Sequence, residues 1–199
     1  MMVKICGITN MEDAMAAVEA GASALGFNFW PGSPRYLAPE AARRISGPLP
    51  PGISKVGVFV NESAEAIAAA AGEAGADVVQ LHGDCGAPEG WRRWRALGVG
   101  ASFDASVLEE PGVEAFLLDA PAGERYGGTG VGFDWALLTP VRQKIILAGG
   151  LDAANVGAAI AAVRPWGVDA CSRLESSPGR KDHARMRAFV AAALGRNQR

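Results

Sequence analysis

The chain has 199 residues, 49% of them apolar and 20% charged, with a formal charge of -2; this describes an ordinary globule long enough for one good-sized core, a single domain over residues 1–199. Near-neutral charge without a long basic run gives no basis for nucleic acid or an acidic membrane as partner. Three cysteines (Cys6, Cys85, Cys171) in no C-x-x-C spacing exclude a disulfide framework and a thiolate metal site, and they fit a reducing cytoplasm.

Along the chain, β-branched or aromatic runs alternate with alanine-rich stretches carrying charges at helical spacing. The first strand, residues 2 to 6, starts without a basic lead or cleavage site, and no apolar run reaches 18 residues, so neither secretion nor membrane spanning is expected. A helix over 11 to 20 follows Asn10; then come a strand over 23 to 29, a helix over 39 to 46, a strand over 54 to 60, a helix over 63 to 75 and a strand over 76 to 82. Helical spacing in PEGWRRWRAL predicts a helix over 88 to 97, which puts strand five at 98 to 103 and strand six at 114 to 120. The interval between those two strands is too short for a crossover helix, so a reduced or missing helix is expected after strand five. Strands over 144 to 149 and 166 to 171, with helices over 152 to 163 and 182 to 194, complete the pattern. Eight βα pairs predict an α/β protein with a parallel sheet closed into a single (β/α)8 TIM barrel of minimal length. The competing doubly wound sheet usually carries a G-x-G-x-x-G turn after its first strand; CGITNM (6 to 11) is no such turn, and GGTGVG (127 to 132) has the wrong spacing.

In such a barrel, functional side chains sit where strands end on the carboxyl face. Period-two alternation turns Val3 and Ile5 toward the helices and Lys4 and Cys6 inward. The same parity points Gln80, His82, Asp119, Asp169 and Cys171 inward. An unpaired buried charge is costly, so this convergence marks a binding site rather than packing alone, with Lys4, Gln80, His82 and Asp169 as substrate-binding candidates. Lys4 and Asp169 are expected to pair, because strands one and eight become neighbours on closure. The loops after strands seven and eight are where this fold holds phosphate: Gly149 and Gly150 allow close backbone approach, Ser172 offers a hydroxyl and Arg173 a guanidinium. The alternative turns Arg173 outward to Glu175 or solvent. His183 reads as a surface residue and Cys85 as an inert loop residue. With only His82 and His183 available, no metal site is expected.

VKICGIT, GFNFWPGSPRY, VGVFVN, VQLHG, LLDA followed by RYGGTGVGFDW, ILAGGL and DACSRLESSPGRKD, in that order over residues 3 to 182, resemble the phosphoribosylanthranilate isomerase family. The resemblance implies a (β/α)8 barrel without a cofactor. Its implied activity is the Amadori rearrangement of N-(5-phosphoribosyl)anthranilate to 1-(2-carboxyphenylamino)-1-deoxyribulose 5-phosphate in tryptophan biosynthesis. It also implies Cys6 as general base, Asp119 as general acid and Arg35 as the residue that meets the anthranilate carboxylate. The expected partner is a small phosphosugar, and the expected unit a monomer or homodimer. Opening the sugar ring needs an acid protonated at working pH, so Asp119 is expected with a raised pKa; removing the proton beside an iminium needs only a moderate base, such as a thiolate helped by Lys4. Arg173 stands where the family often has glycine, and GVGASFDA lacks the inward lysine of many relatives. The alternatives are an aminoaldose isomerase or epimerase of the same fold, or a noncatalytic phosphate-binding barrel.

Overall fold

Alternating strand residues and capped helices build the architecture from the first element onward. The computed structural model describes residues 1–100, 103–120 and 142–196. Eight strands, β1 (Met2–Cys6), β2 (Ala24–Asn28), β3 (Ser54–Val60), β4 (Val78–His82), β5 (Arg92–Gly98), β6 (Val113–Asp119), β7 (Ile145–Leu147) and β8 (Gly167–Ala170), pair in chain order, and β8 returns to β1 to close a parallel barrel. Around it lie α1 (Met11–Ala20), α2 (Pro39–Ser46), α3 (Ala64–Ala74), α4 (Val156–Val163) and α5 (His183–Ala193). Side-chain caps fix three of the starts: Asn10 accepts from the Asp13 N–H, Ser63 from Ala66, and Asp182 from Ala184 and Arg185. The expected (β/α)8 class is the observed one.

Alternation divides the strand residues between two layers. Val3, Ile5, Leu25, Phe27 and Val79 join Ile67, Phe189 and Val190 of the helices in the outer core, while Ala24, Val56, Val78, Leu117 and Ile146 fill the barrel interior. Each large side chain buried outright in this way contributes about 1.5–3 kcal/mol.

The fifth unit departs from expectation. Arg92–Gly98 is strand β5, not a helix, and residues 83 to 91 carry no helix at all. Trp94 and Ala96 point into the barrel core, whereas Arg93, Arg95 and Leu97 alternate outward. The two tryptophans three apart, Trp91 and Trp94, imitate helical spacing, but Trp94 fills the barrel floor edge-on to Trp166, with ring centroids 6.0 Å apart. The outward arginines then do part of a helix's work: Arg95 chelates Glu110 at 2.8 and 2.9 Å and donates to the Gly83 carbonyl, and Arg93 donates to the Pro111 carbonyl. Among the described residues after β5 a 3-10 turn, Ala105–Glu109, is the one helical element before β6, in keeping with the short interval. The RYGGTGVGFDW segment (125 to 135) lies outside the described residues.

Two further contacts tie the end of the chain to its beginning. A hairpin that no pattern foretold, β9 (Glu175–Ser177) with β10 (Arg180–Lys181), follows β8. His183 is not a free surface residue: its Nε2 lies 2.7 Å from Asp13 Oδ1, its side chain is 27% exposed, and Asp13 also accepts from the Lys181 N–H.

At the closing seam, Lys4 faces Asp169 directly in the β1–β8 register, and its Nζ donates to Asp169 Oδ1 at 2.9 Å. Burial alone would lower the ammonium's pKa; Asp169, and after it Cys6, hold it above the ordinary lysine value instead. Asp169→Ala should therefore leave an uncompensated charge and lower the unfolding free energy by about 3–5 kcal/mol, read from urea denaturation. A loss below about 1 kcal/mol would show that the pair does not hold the seam.

Candidate active site

At the carboxyl ends of the strands a cavity of about 390 Å³ opens, lined by Cys6, Arg35, Gln80, His82, Asp119, Asp169, Gly149, Gly150, Ser172 and Arg173. Lys4 is the exception among the expected site residues. It is 0% exposed and does not line the cavity, because Asp169 holds its ammonium beneath the floor, so it cannot touch a ligand there.

Cys6 ends β1 at that floor. Gly7 follows with φ 73°, and a Cβ there would come within 2.6 Å of Arg35 Cδ and 2.9 Å of Cys171 Sγ; only glycine lets the chain turn away. Opposite Cys6 in register, Gly26 leaves room for the sulfur, which a Cβ would approach to 2.7 Å. A hydrogen bond from Cys171, and behind it the Lys4 charge, hold the Cys6 thiol well below its ordinary pKa against the opposing effect of burial. Cys171 goes the other way: its bond to Cys6 and its burial push its thiol up, so it stays protonated and donates.

Asp119 ends β6 and also lines the cavity. Burial raises its carboxyl to about 6, although the Ala120 N–H, 2.7 Å from Oδ1, favours the charged form. Burial, with Lys4 and Arg95 nearby, pushes His82 down to about 3, so its ring is neutral. Gln80 Nε2 lies 2.7 Å from His82 Nε2; a neutral ring that accepts there keeps its proton on Nδ1. Gln80 Oε1 is buried and has no hydrogen-bond partner among the described residues.

Residues 3–192 match the family model for N-(5'phosphoribosyl)anthranilate (PRA) isomerase. The chain belongs to this isomerase family. The N-(5'-phosphoribosyl)anthranilate isomerase of Solibacter usitatus is 49% identical over 97% of each chain. A phosphoribosyl anthranilate isomerase solved with reduced 1-(o-carboxyphenylamino)-1-deoxyribulose 5-phosphate superposes with a TM-score of 0.85 at 42% identity, covering 98% of both chains. Monomers generated from the dimeric isomerase of Thermotoga maritima give 0.85 at 41% identity over the same shares.

Within this isomerase fold, Arg35 is no solvated loop residue. Its Nε and Nη2 donate to both oxygens of Glu175, at 2.8 and 2.7 Å, and its pKa is raised by that bond. Glu175 is 8% exposed and also accepts from Lys181 Nζ at 3.0 Å. No spacing in the sequence links residue 35 to residue 175; the hairpin of β9 and β10 brings them together. Asn28, by contrast, lines the cavity on the inward parity of β2, shared with Gly26 opposite Cys6, so alternation could have found it. Arg173 sits on the rim, its side chain 51% exposed, with Nη1 3.5 Å from Asp152 Oδ2; Glu175, the alternative partner, is turned inward and occupied. Cys85 is a buried loop residue whose Sγ donates to the His82 carbonyl at 3.1 Å. Among the described residues no three His, Cys, Asp or Glu side chains gather as a metal ion would need.

Alkylation of Cys6 by iodoacetamide should follow its thiolate. The rate, read by peptide mass against pH, is expected to level off well below the ordinary thiol midpoint of about 8.5, and a midpoint at or above that value would contradict the hydrogen bond from Cys171.

Proposed function

We propose that Cys6 is the general base and Asp119 the general acid with which this isomerase of tryptophan biosynthesis converts N-(5-phosphoribosyl)anthranilate to 1-(2-carboxyphenylamino)-1-deoxyribulose 5-phosphate. One observation carries the reading: a single cavity holds a thiol whose surroundings favour ionisation and a carboxyl whose surroundings favour the proton.

The order of steps follows from those two states. Asp119, raised to about 6, keeps a usable protonated fraction near neutrality and gives its proton to the ring oxygen as the bond from C1' to that oxygen breaks. The anthranilate nitrogen supplies the electron pair and becomes an iminium, which acidifies the proton on C2'. The Cys6 thiolate removes that proton, the C–H pair forms the C1'=C2' bond, and the C=N π pair returns to nitrogen to leave an enolamine. Proton return to C1' and loss from the enol oxygen give the ketone. His82, pushed to about 3, is a neutral ring at working pH and a far weaker acid than the Asp119 carboxyl.

Binding uses the remaining lining. Glu175 occupies two of the five guanidinium N–H groups of Arg35, which leaves the rest for the anthranilate carboxylate. A sugar hydroxyl would satisfy Gln80 Oε1, whose unpaired burial costs about 1–3 kcal/mol. Backbone amides at Gly149 and Gly150, the Ser172 hydroxyl and Arg173 receive the phosphate. Asp169 faces the sugar and steadies Lys4 beneath Cys6. The whole chain, residues 1–199, works in this reading as one barrel in the cytoplasm, and its three free cysteines support that compartment. The dimeric Thermotoga maritima relative and its monomers support a monomer or homodimer.

Cys6→Ala and Asp119→Asn should each lower kcat by at least about a hundredfold with a modest change in KM, and turnover like that of the parent in either variant would remove it from the mechanism. For Arg35→Ala, KM should rise more than about tenfold while kcat falls less; an unchanged KM would show that Arg35 serves only Glu175.

A further inference from the structure

We propose that Cys6 and Cys171 form an oxidation site, a thiol pair across the barrel seam that a peroxide closes to a disulfide and a dithiol reopens. Ile5 and Ala170 are the last register partners of β1 and β8; Cys6 ends β1, and Cys171 is the first residue after β8. Neighbouring strands run about 4.8 Å apart, and disulfides join Cα atoms about 4.4–6.8 Å apart. Both residues line the open cavity, and a Cβ on Gly26 would stand 2.7 Å from Cys6 Sγ. Gly7 leaves Cys171 Sγ room beside the turn, since a Cβ there would stand 2.9 Å away. Neither thiol is fully enclosed, whereas Cys85 is buried elsewhere against the His82 carbonyl.

The chemistry balances with hydrogen peroxide as the oxidant. The Cys6 thiolate attacks one peroxide oxygen, the O–O bond breaks, and the departing hydroxide takes a proton and leaves as water; Cys6 becomes a sulfenic acid. Cys171 sulfur then attacks Cys6 sulfur, the S–O bond breaks, and the leaving hydroxide accepts the Cys171 proton. Two thiols and one peroxide give one disulfide and two waters. Lys181 Nζ, 3.8 Å from Cys171 Sγ, favours the anion as Cys171 gives up its proton. Reduction by a dithiol runs through the reverse exchange. The cross-link rests on geometry alone; the accompanying loss of turnover rests on the reading of Cys6 as the base.

The full chain treated with hydrogen peroxide should lose about 2 Da, the two thiol hydrogens, and peptide mapping should show Cys6 joined to Cys171. Dithiothreitol should restore mass and turnover together. A Cys85→Ser chain, which keeps only the seam pair, should cross-link in the same way. In Cys171→Ser, prolonged excess peroxide should drive Cys6 to the sulfinic acid, so that dithiothreitol no longer restores that variant's own starting activity. Both seam thiols still alkylatable after peroxide, Cys6 sulfinate beside reduced Cys171 in the parent, or full recovery of Cys171→Ser would overturn the proposal. A complete cross-link that leaves turnover intact would keep the oxidation site and overturn Cys6 as the base.

Discussion

Burying an ammonium inside a barrel is strongly unfavourable unless an anion meets it with good geometry, and Asp169 meets Lys4 at 2.9 Å from the adjacent strand. That requirement constrains much else. A slip of β8 by one residue would carry Asp169 to the outer face and leave Lys4 alone, so the pair fixes the register in which the barrel closes. The same register sets Cys171 beside Cys6 and puts a permanent cation under the thiol. Closure, thiol acidity and the shape of the cavity floor therefore share one electrostatic cause.

A second ionic assembly sits above it. Glu175 bridges Arg35, from the loop after β2, and Lys181, from β10, so two distant segments meet on one carboxylate. A bidentate grip fixes the guanidinium plane as well as its position. Arg35 thus offers its remaining N–H groups in a set direction before any ligand arrives, which spares the ordering of a long side chain on binding.

Much of this was legible because strand parity is a strong rule where one face is buried. Parity alone turned Cys6, Gln80, His82, Asp119 and Asp169 inward, where all five line the cavity, and closure then predicted the pairing of Lys4 with Asp169. It misplaced Lys4 as a ligand contact because alternation tells which way a side chain points, not how deep it lies. The fifth unit failed for a different reason. Tryptophans at helical spacing and arginines read as an amphipathic helix, and only the partners on β4 and β6 decide for a strand. Glu175 was missed because a hairpin of three and two residues leaves no periodic trace.

Among the described residues no α-helix stands beside β5, and this divides the wall into two regimes. Most strands are sealed by apolar contact with helices, a seal that strengthens or weakens with temperature through the hydration of buried surface. At β5, charged side chains hold much of the outside: Arg95 on Glu110, and at the lower rim Arg92 on Glu114 with Lys144 alongside. Dissolved ions screen such pairs over a Debye length of about 8 Å at physiological strength. Arg92 also holds the Glu114 carboxyl below its usual value, so its support is present at neutral pH and fades as acid protonates it. Local opening at β5 is consequently governed by brine and acid, while the strands packed against α1 to α5 answer to heat.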